Sequence, residues 1–491
     1  MMDANTAIEA LTVLYEASSS AEQRCAANEW LQVFRKHPDS WGVCATMLNQ
    51  EQLSPPLKLF AAQVILYKSR KAAQPASLED INGLFQLSAK YIVGGMRPIA
   101  IQLGLSACVS LARNMSCQLD SIINGIHQIC TGLAEEGSMS LEAAEGAFCL
   151  FLALLPEEGA GFKGHPQRQL QVKCTLKEKF AAEVLPYLNE KVIFWVQQGS
   201  INLLTQAFEC LVSWQAIEGC IVWENLECYP AIFDAAFTAL LLQSSSCGQE
   251  QRNHYSSLAN SSCEFLCMGI SVCPPALPGV TASARALLPA ATTGQLGAAL
   301  AGARESGSEE VALRICMVVT KAGSSYLGAF EDTELAVHWQ LLLDHILRMT
   351  ESPFFAVVCQ ALEFWNSLFE TQYANEMFQE ILTKAFISLV ARTSFTLEFE
   401  HGDLDFRDEF TELRRQIRDV LRAASNRRPL FVEWYAGHAL QYFKEHASSI
   451  SKWAETESHL HALSAVSKDL CGLPDFIQAY LHILHVLPDH P

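Results

Sequence analysis

The feature that most constrains this 491-residue chain is a helical period that recurs from one end to the other. Leu57, Phe60, Ala61 and Val64 fall at i, i+3, i+4 and i+7, one face of a helix. Ile101, Leu105, Cys108, Val109 and Ala112 repeat the pattern, as do Phe406, Phe410, Leu413, Ile417 and Val420. No run alternates long enough to predict a strand, so the chain reads as all-α. The punctuation agrees with helices of roughly 12–20 residues. Ser20 with Gln23 makes a capping box ahead of Trp30, Leu31 and Phe34. Ser54 and Pro55 start a helix that ends in Lys68, Arg70 and Lys71, where cations suit the negative end of the dipole. Pro98, Pro353 and Pro429 open others. About twenty helices result, or about ten pairs of the HEAT or armadillo kind at about 40–47 residues each. The expected fold is a right-handed α-solenoid, in which each repeat buries its face on the next.

The expected organisation is N-terminal repeats over 1–155 and further repeats over 156–272. Residues 273–310 are either a loose helix pair or a flexible insertion, because Ala, Gly, Pro, Ser and Thr crowd out large side chains. More repeats follow over 311–491. The Gly-rich, polar Glu157–Gln171 reads as an exposed loop. Ala207–Trp214 (AFECLVSW) and Gln360–Phe369 (QALEFWNSLF) echo each other.

Half the residues are apolar (50%) and 18% are charged, which excludes global disorder. The 34 Lys plus Arg against 53 Asp plus Glu leave a formal charge of −19. That disfavours direct nucleic-acid binding, which depends on basic residues, and favours basic partners. Basic and aromatic residues are not interleaved as single-strand binding would require. The 17 cysteines are odd in number and contain no C-x-x-C; the tightest cluster, Cys263, Cys267 and Cys273, has no His at ligand spacing. Buried thiols in a reducing compartment are expected. With Asp3 and Glu9 at the start, no signal peptide is read, and the apolar runs Phe148–Leu155 and Ala235–Leu242 are too short to span a membrane. A soluble intracellular protein is expected.

Catalytic motifs are missing. Gly159, Gly161 and Gly164 do not make a P-loop, Gly297 and Gly302 follow no strand, and there is no G-x-S-x-G or H-E-x-x-H. His459 with His461, or His482 with His485, would share a metal only with a third ligand that the sequence does not bring near; histidines close to helix ends are the plainer alternative. No enzyme, cofactor or metal site is expected. Two groups of side chains suggest contacts. In Glu398–Arg428 the acids Glu398, Glu400, Asp403, Asp405, Asp408, Glu409 and Glu412 precede Arg414, Arg415, Arg418, Arg422, Arg427 and Arg428. Arg407, Arg414, Arg415, Arg418 and Arg422 share a helical sector of about 100° beside the apolar stripe. They form either a guanidinium face for acidic or phosphorylated peptide, or a solvated face balanced by acids of a neighbouring repeat. Trp30, Trp195, Trp214, Trp365 and Trp434 lie on apolar faces, as core or as rings offered to a partner.

Taken in order, Ala7–Tyr15, then Arg24, Ala27, Trp30 and Leu31, then Phe60 to Gln63 (FAAQ) match a known family. So do Leu152–Glu158 (LALLPEE), Phe208–Trp214 (FECLVSW) and Glu363–Trp365 with Leu368. The helix Asp405–Leu421, with Phe410 and Asp419, and the turn Leu473, Pro474 and Asp475 complete the series. Together they resemble the importin-β superfamily, within it the transportin-SR and importin-thirteen branch. The resemblance implies a nuclear transport receptor shuttling between cytoplasm and nucleus past nucleoporins. It would bind Ran-GTP through its N-terminal repeats and carry protein cargo, in this branch arginine/serine-rich splicing factors. On the inner helix Ser54–Lys71, Gln63 and Lys68 are the expected Ran contacts, or else solvent-facing residues touching nothing. The chain reaches only the middle of a typical member, so the family's arginine-rich cargo helix is expected to fall outside it. The alternatives are an exportin and a HEAT scaffold unrelated to transport.

Overall fold

The computed structural model describes residues 3–16, 18–72, 76–114, 122–161, 166–241, 249–272, 277–370, 379–395, 402–427, 429–446 and 452–467, with 399, 449, 477 and 481 as isolated positions. Among the described residues every regular element is helical. Two compact units divide the chain, Met1–Ala235 with Ser244–Ser261, and Ala236–Gln243 with Ser262–Pro491.

The first unit starts with α1 (Ala4–Tyr15), α2 (Ala21–Lys36), α3 (Ser40–Asn49) and α4 (Pro55–Lys71). It continues through α5 (Leu78–Val93), α6 (Arg97–Asn114), α7 (Ile122–Glu135), α8 (Leu141–Gly161), α9 (Pro166–Lys179), α10 (Leu185–Gln198) and α11 (Ile201–Ser213). Local chemistry sets the boundaries. Ser20 and Gln23 form the capping box reciprocally, and Ser77 with Asp80 builds a second one ahead of α5. Gly199 closes α10 at φ +67°, a conformation that costs a residue without Cβ little. Consecutive helices pair as α1 with α2, α3 with α4, α5 with α6, and α7 with α8. The second members then stack in a row, α4 on α6, α6 on α8 and α8 on α11.

This stacking changes what the helical period means. A helix with one neighbour needs one apolar stripe, whereas α4 and α6 meet a partner and two stacked neighbours. Consecutive residues Val64, Ile65 and Leu66 are therefore all buried on α4, and Ala107, Cys108 and Val109 on α6. A Cβ at Gly104 would come within 2.8 Å of the Leu154 side chain, so a larger residue here forces that side chain or the α6–α8 spacing to give.

Glu157–Gln171, expected as a loop, is instead mostly helix. α8 runs through Pro156 to Gly161 and α9 starts at Pro166; residues 162–165, including Gly164 and His165, lie outside the described part. The apolar turns before Pro156, with Phe151, Leu152 and Leu155 buried, anchor the helix strongly enough to carry it past the proline.

The second unit contains α15 (Leu277–Ala291), α16 (Gly294–Ser306), α17 (Glu309–Ser325), α18 (Ala336–Thr350) and α19 (Phe355–Glu370). It goes on to α20 (Gln379–Ala391), α21 (Leu404–Arg427), α22 (Pro429–His446) and α23 (Trp453–Ala465). The helices α12 (Trp223–Leu226), α13 (Pro230–Leu240) and α14 (Gln249–Ser271) come between the two sets in sequence. Pairing and stacking recur: α16 with α17, α18 with α19, α20 with α21 and α22 with α23, and α17, α19, α21 and α23 in a row. The small-residue stretch after Cys273, a residue outside the described part, forms α15 and α16, both packed on α17. The fold is an α-solenoid of HEAT-like helix pairs.

Candidate partner-binding surfaces

On α4 the exposed side is narrow. Gln63 is exposed, and Tyr67, one turn further on, carries the Arg35 guanidinium 4.1 Å from its ring centre. Lys68 is half-buried and already occupied: its ammonium donates to the backbone carbonyls of Lys36, at 3.1 Å, and His37. These are among the carbonyls that the end of α2 leaves without helical partners. Lys68 therefore caps α2, and of the two expected Ran contacts only Gln63 presents an uncommitted side chain to solvent.

The arginine face on α21 resolves in the same way. Asp403 accepts the amide of Phe406 at 2.9 Å and starts the helix, and Phe410, Leu413, Ile417, Val420 and Leu421 form its buried stripe. Arg414, expected on the binding face, is buried (8% exposed). Its two terminal nitrogens donate to the Glu457 carboxylate on α23 at 2.9 and 2.6 Å, one of them also to the Thr393 carbonyl at 2.7 Å. Phe395 lies 4.2 Å beneath the guanidinium. Arg414 thus cross-links α21 to α23 and leaves the proposed face. Arg415 is exposed but forks onto Glu412 (2.5 Å) and Asp419 (3.3 Å). The hydrogen bonds of Arg415 and Gln416 hold the Glu412 carboxyl down at about 2. Arg422 faces Asp419 at 3.6 Å, and Arg407 donates to the Phe399 carbonyl at 3.2 Å. Arg418 is half-buried, with its Nε unpartnered among the described residues. Among the described residues, only Glu412 of the acids that precede the arginines in sequence pairs with one of them; the other carboxylate partners are Asp419, within the run, and Glu457, on α23. Glu398, Glu400 and Arg428 lie outside the described residues, as do His482, His485 and Leu473–Asp475.

The remaining candidates are mostly core. Trp195, Trp214 and Trp365 are fully buried, and Trp195 donates to Glu145 at 2.8 Å in a cluster that also holds Lys191. Trp30 stacks on Phe34 at 5.3 Å, and the half-exposed Trp434 stacks on His438 at 5.6 Å. His459 and His461 diverge. The His459 Nδ1 lies 3.0 Å from the Tyr435 hydroxyl, and burial followed by the His438 charge pulls its pKa down to about 4. His461 is lowered by burial and by Arg414 on the other side. Burial pushes the Cys44, Cys130 and Cys210 thiols up to about 12, so they do not ionise near neutrality. Among the described residues no group of three His, Cys, Asp or Glu side chains is arranged to hold a metal, and no helix is long and apolar enough to cross a membrane. The sequence pattern missed Arg304 and Arg348, which lie 44 positions apart and come together in one cleft of the second unit.

No family model matches the chain. A 159-residue stretch is 30% identical to an uncharacterized protein of Schizosaccharomyces pombe, covering 32% of this chain and 15% of that relative. Against a solved structure of importin 13 in its cytosolic state the TM-score is 0.58 at 13% identity, over 84% of this chain and 46% of the importin. The chain thus spans less than half the length of either protein. Its helix pairs share the HEAT-repeat fold of that importin.

Proposed function

We propose that this chain acts as an importin-like nuclear transport receptor, which binds Ran-GTP through the repeats of its first unit and carries protein cargo. The fold likeness to importin 13 over 84% of the chain carries this reading. The formal charge of −19 supports it, since an acidic receptor attracts partners whose contact surfaces are basic. Gln63, exposed on α4, is a contact in this scheme. Arginine/serine-rich splicing factors, whose arginines suit an acidic receptor, are the proposed cargo class. Passage past nucleoporins between cytoplasm and nucleus follows from the same reading, as does the assignment to the transportin-SR and importin-thirteen branch. Arg407, Arg415, Arg418 and Arg422 remain a proposed surface for acidic or phosphorylated peptide, now without Arg414.

The test is a titration of the purified chain against Ran loaded with a GTP analogue and, in parallel, with GDP. A preference for the GTP form of at least about tenfold, or about 1.4 kcal/mol, is expected. Equal binding of both forms rejects the reading and favours a scaffold. Adding Ran-GTP to a cargo complex then separates import, in which cargo is released, from export, in which it is held more tightly.

A further inference from the structure

Within the second unit, Leu300, Ala301, Arg304 and Glu305 of α16, Ala312 of α17, and Arg348 and Ser352 at the end of α18 line a cleft of about 600 Å³. Arg304 and Arg348 are both exposed, and neither makes an ion pair or a side-chain hydrogen bond with any described residue. Of the other arginines of α15–α21 whose side chains are described, all but the half-buried Arg418 have a partner. Arg285 meets Asp332 and Glu334, Arg314 meets Glu310, Arg392 donates to the Thr350 carbonyl, and Arg407, Arg414, Arg415 and Arg422 of α21 meet acids or backbone. In a chain with 53 acids, two arginines that share one cleft and find no carboxylate beyond the nearby Glu305 are a departure from the pattern.

A second feature continues from the cleft. On α18, Val337 (69% exposed) and Leu341 (39% exposed) lie on the same face as Arg348, at i, i+4 and i+11. Leu341 is two turns from Arg348, about 10 Å along the axis, a distance an extended peptide covers in about three residues.

We infer that this cleft and stripe dock an acidic peptide segment of a partner protein, with two carboxylates on Arg304 and Arg348 and an apolar side chain on Leu341 and Val337. Each guanidinium fork matches one carboxylate bidentately. The two arginines stand on different helices, so two carboxylates spaced along a strand suit them better than one compact dianion. Leu300, Ala301 and Ala312 give the segment an apolar floor. The apolar stripe distinguishes such a peptide from a free anion, which would use the arginines alone. The inference does not rest on Ran binding, and the site would give an acidic receptor a place for partners of its own sign.

The test uses the full chain and a fluorescein-labelled nonapeptide with two glutamates and a leucine three residues from them, followed by fluorescence anisotropy. Arg304→Glu and Arg348→Glu should each weaken binding at least tenfold and Leu341→Ser about threefold, while circular dichroism melting stays unchanged. Arg348→Lys, which keeps the charge and loses the fork, should fall between the wild type and Arg348→Glu. Indifference of binding to Arg304→Glu and Arg348→Glu overturns the proposal. So does equal binding of a peptide lacking the leucine together with silence of Leu341→Ser, which leaves unspecific anion attraction. Capture of a phosphoserine peptide but not the glutamate peptide overturns the assigned ligand class.

Discussion

The helix α21 and the cleft between α16 and α18 both present arginines on the second unit, and they use them in opposite ways. On α21 Arg414, Arg415 and Arg422 each have a carboxylate within 4 Å. In the cleft Arg304 and Arg348 have no ion pair among the described residues. A dense run of arginines in a sequence therefore marks a structural cross-link as readily as a binding surface, and what separates them is where the acids lie. A buried arginine neutralised within the fold, as Arg414 is, gains little by exchanging its carboxylate for a ligand's. One left unpaired in a partly apolar cleft gains both the fork and a weaker dielectric.

Breaking the paired side of this contrast should have the largest effect. Arg414→Met removes the cation from Glu457 and the donor from Thr393 in a buried setting, and a loss of about 3–5 kcal/mol is expected in urea unfolding. Adding Glu457→Leu should recover most of that loss, because the penalty comes from the orphaned carboxylate more than from the missing attraction. Failure of the double variant to recover would mean that the Thr393 bond or the stacking on Phe395 dominates.

Acid tests the helix pair α22–α23 behind Arg414. His459 has its pKa lowered from 6.5 to about 4, so the unfolded chain binds more protons between those values. The stability that depends on neutral His459 is whole above about pH 6.5 and is lost as pH falls towards 4. Glu455 opposes the shift and His438 adds to it. His459→Gln should flatten the fall in Tm over this window; an unchanged slope would assign it to other groups.

Closer packing should give a smaller effect. At Gly323 an added Cβ would come within 2.5 Å of the Phe364 ring and 3.2 Å of Leu342. Gly323→Ala should cost about 1–3 kcal/mol as α17 and α19 are pushed apart. At the small end, Arg304→Ala and Arg348→Ala should each shift stability by less than about 0.5 kcal/mol, as exposed, unpaired side chains do. A larger loss at either would reveal a structural role and collapse the contrast with α21.

Much of the fold was legible because helix ends are local chemistry: Ser20 with Gln23, Ser54 with Pro55, and Pro429 all act within one turn of themselves. The apolar stripe of α21 was legible for the same reason, being set by spacing on one helix. What the sequence hid depends on second helices. The fate of Lys68 rests on the carbonyls of α2, 31 and 32 residues away, and that of Arg414 on Glu457, 43 residues away. The helical course of Glu157–Gly161 was hidden because glycine and proline report local preference while the burial of α8 outweighs it. The cleft arginines were invisible for want of any local pattern.

The stacked row of second helices has a consequence for how such a chain changes over generations. Each of these helices answers to its partner and its immediate neighbours, so a bulky substitution on α6 can be accommodated by a smaller residue on α8 and go no further. Drift can then proceed pair by pair while the path of the backbone is kept. The fold shared with the importin at 13% identity, with a TM-score of 0.58, shows how different two sequences can be and still satisfy such packing. It also explains why no single short motif should be demanded of the fold: the constraint lies in volumes shared between adjacent repeats, and many different sequences satisfy it.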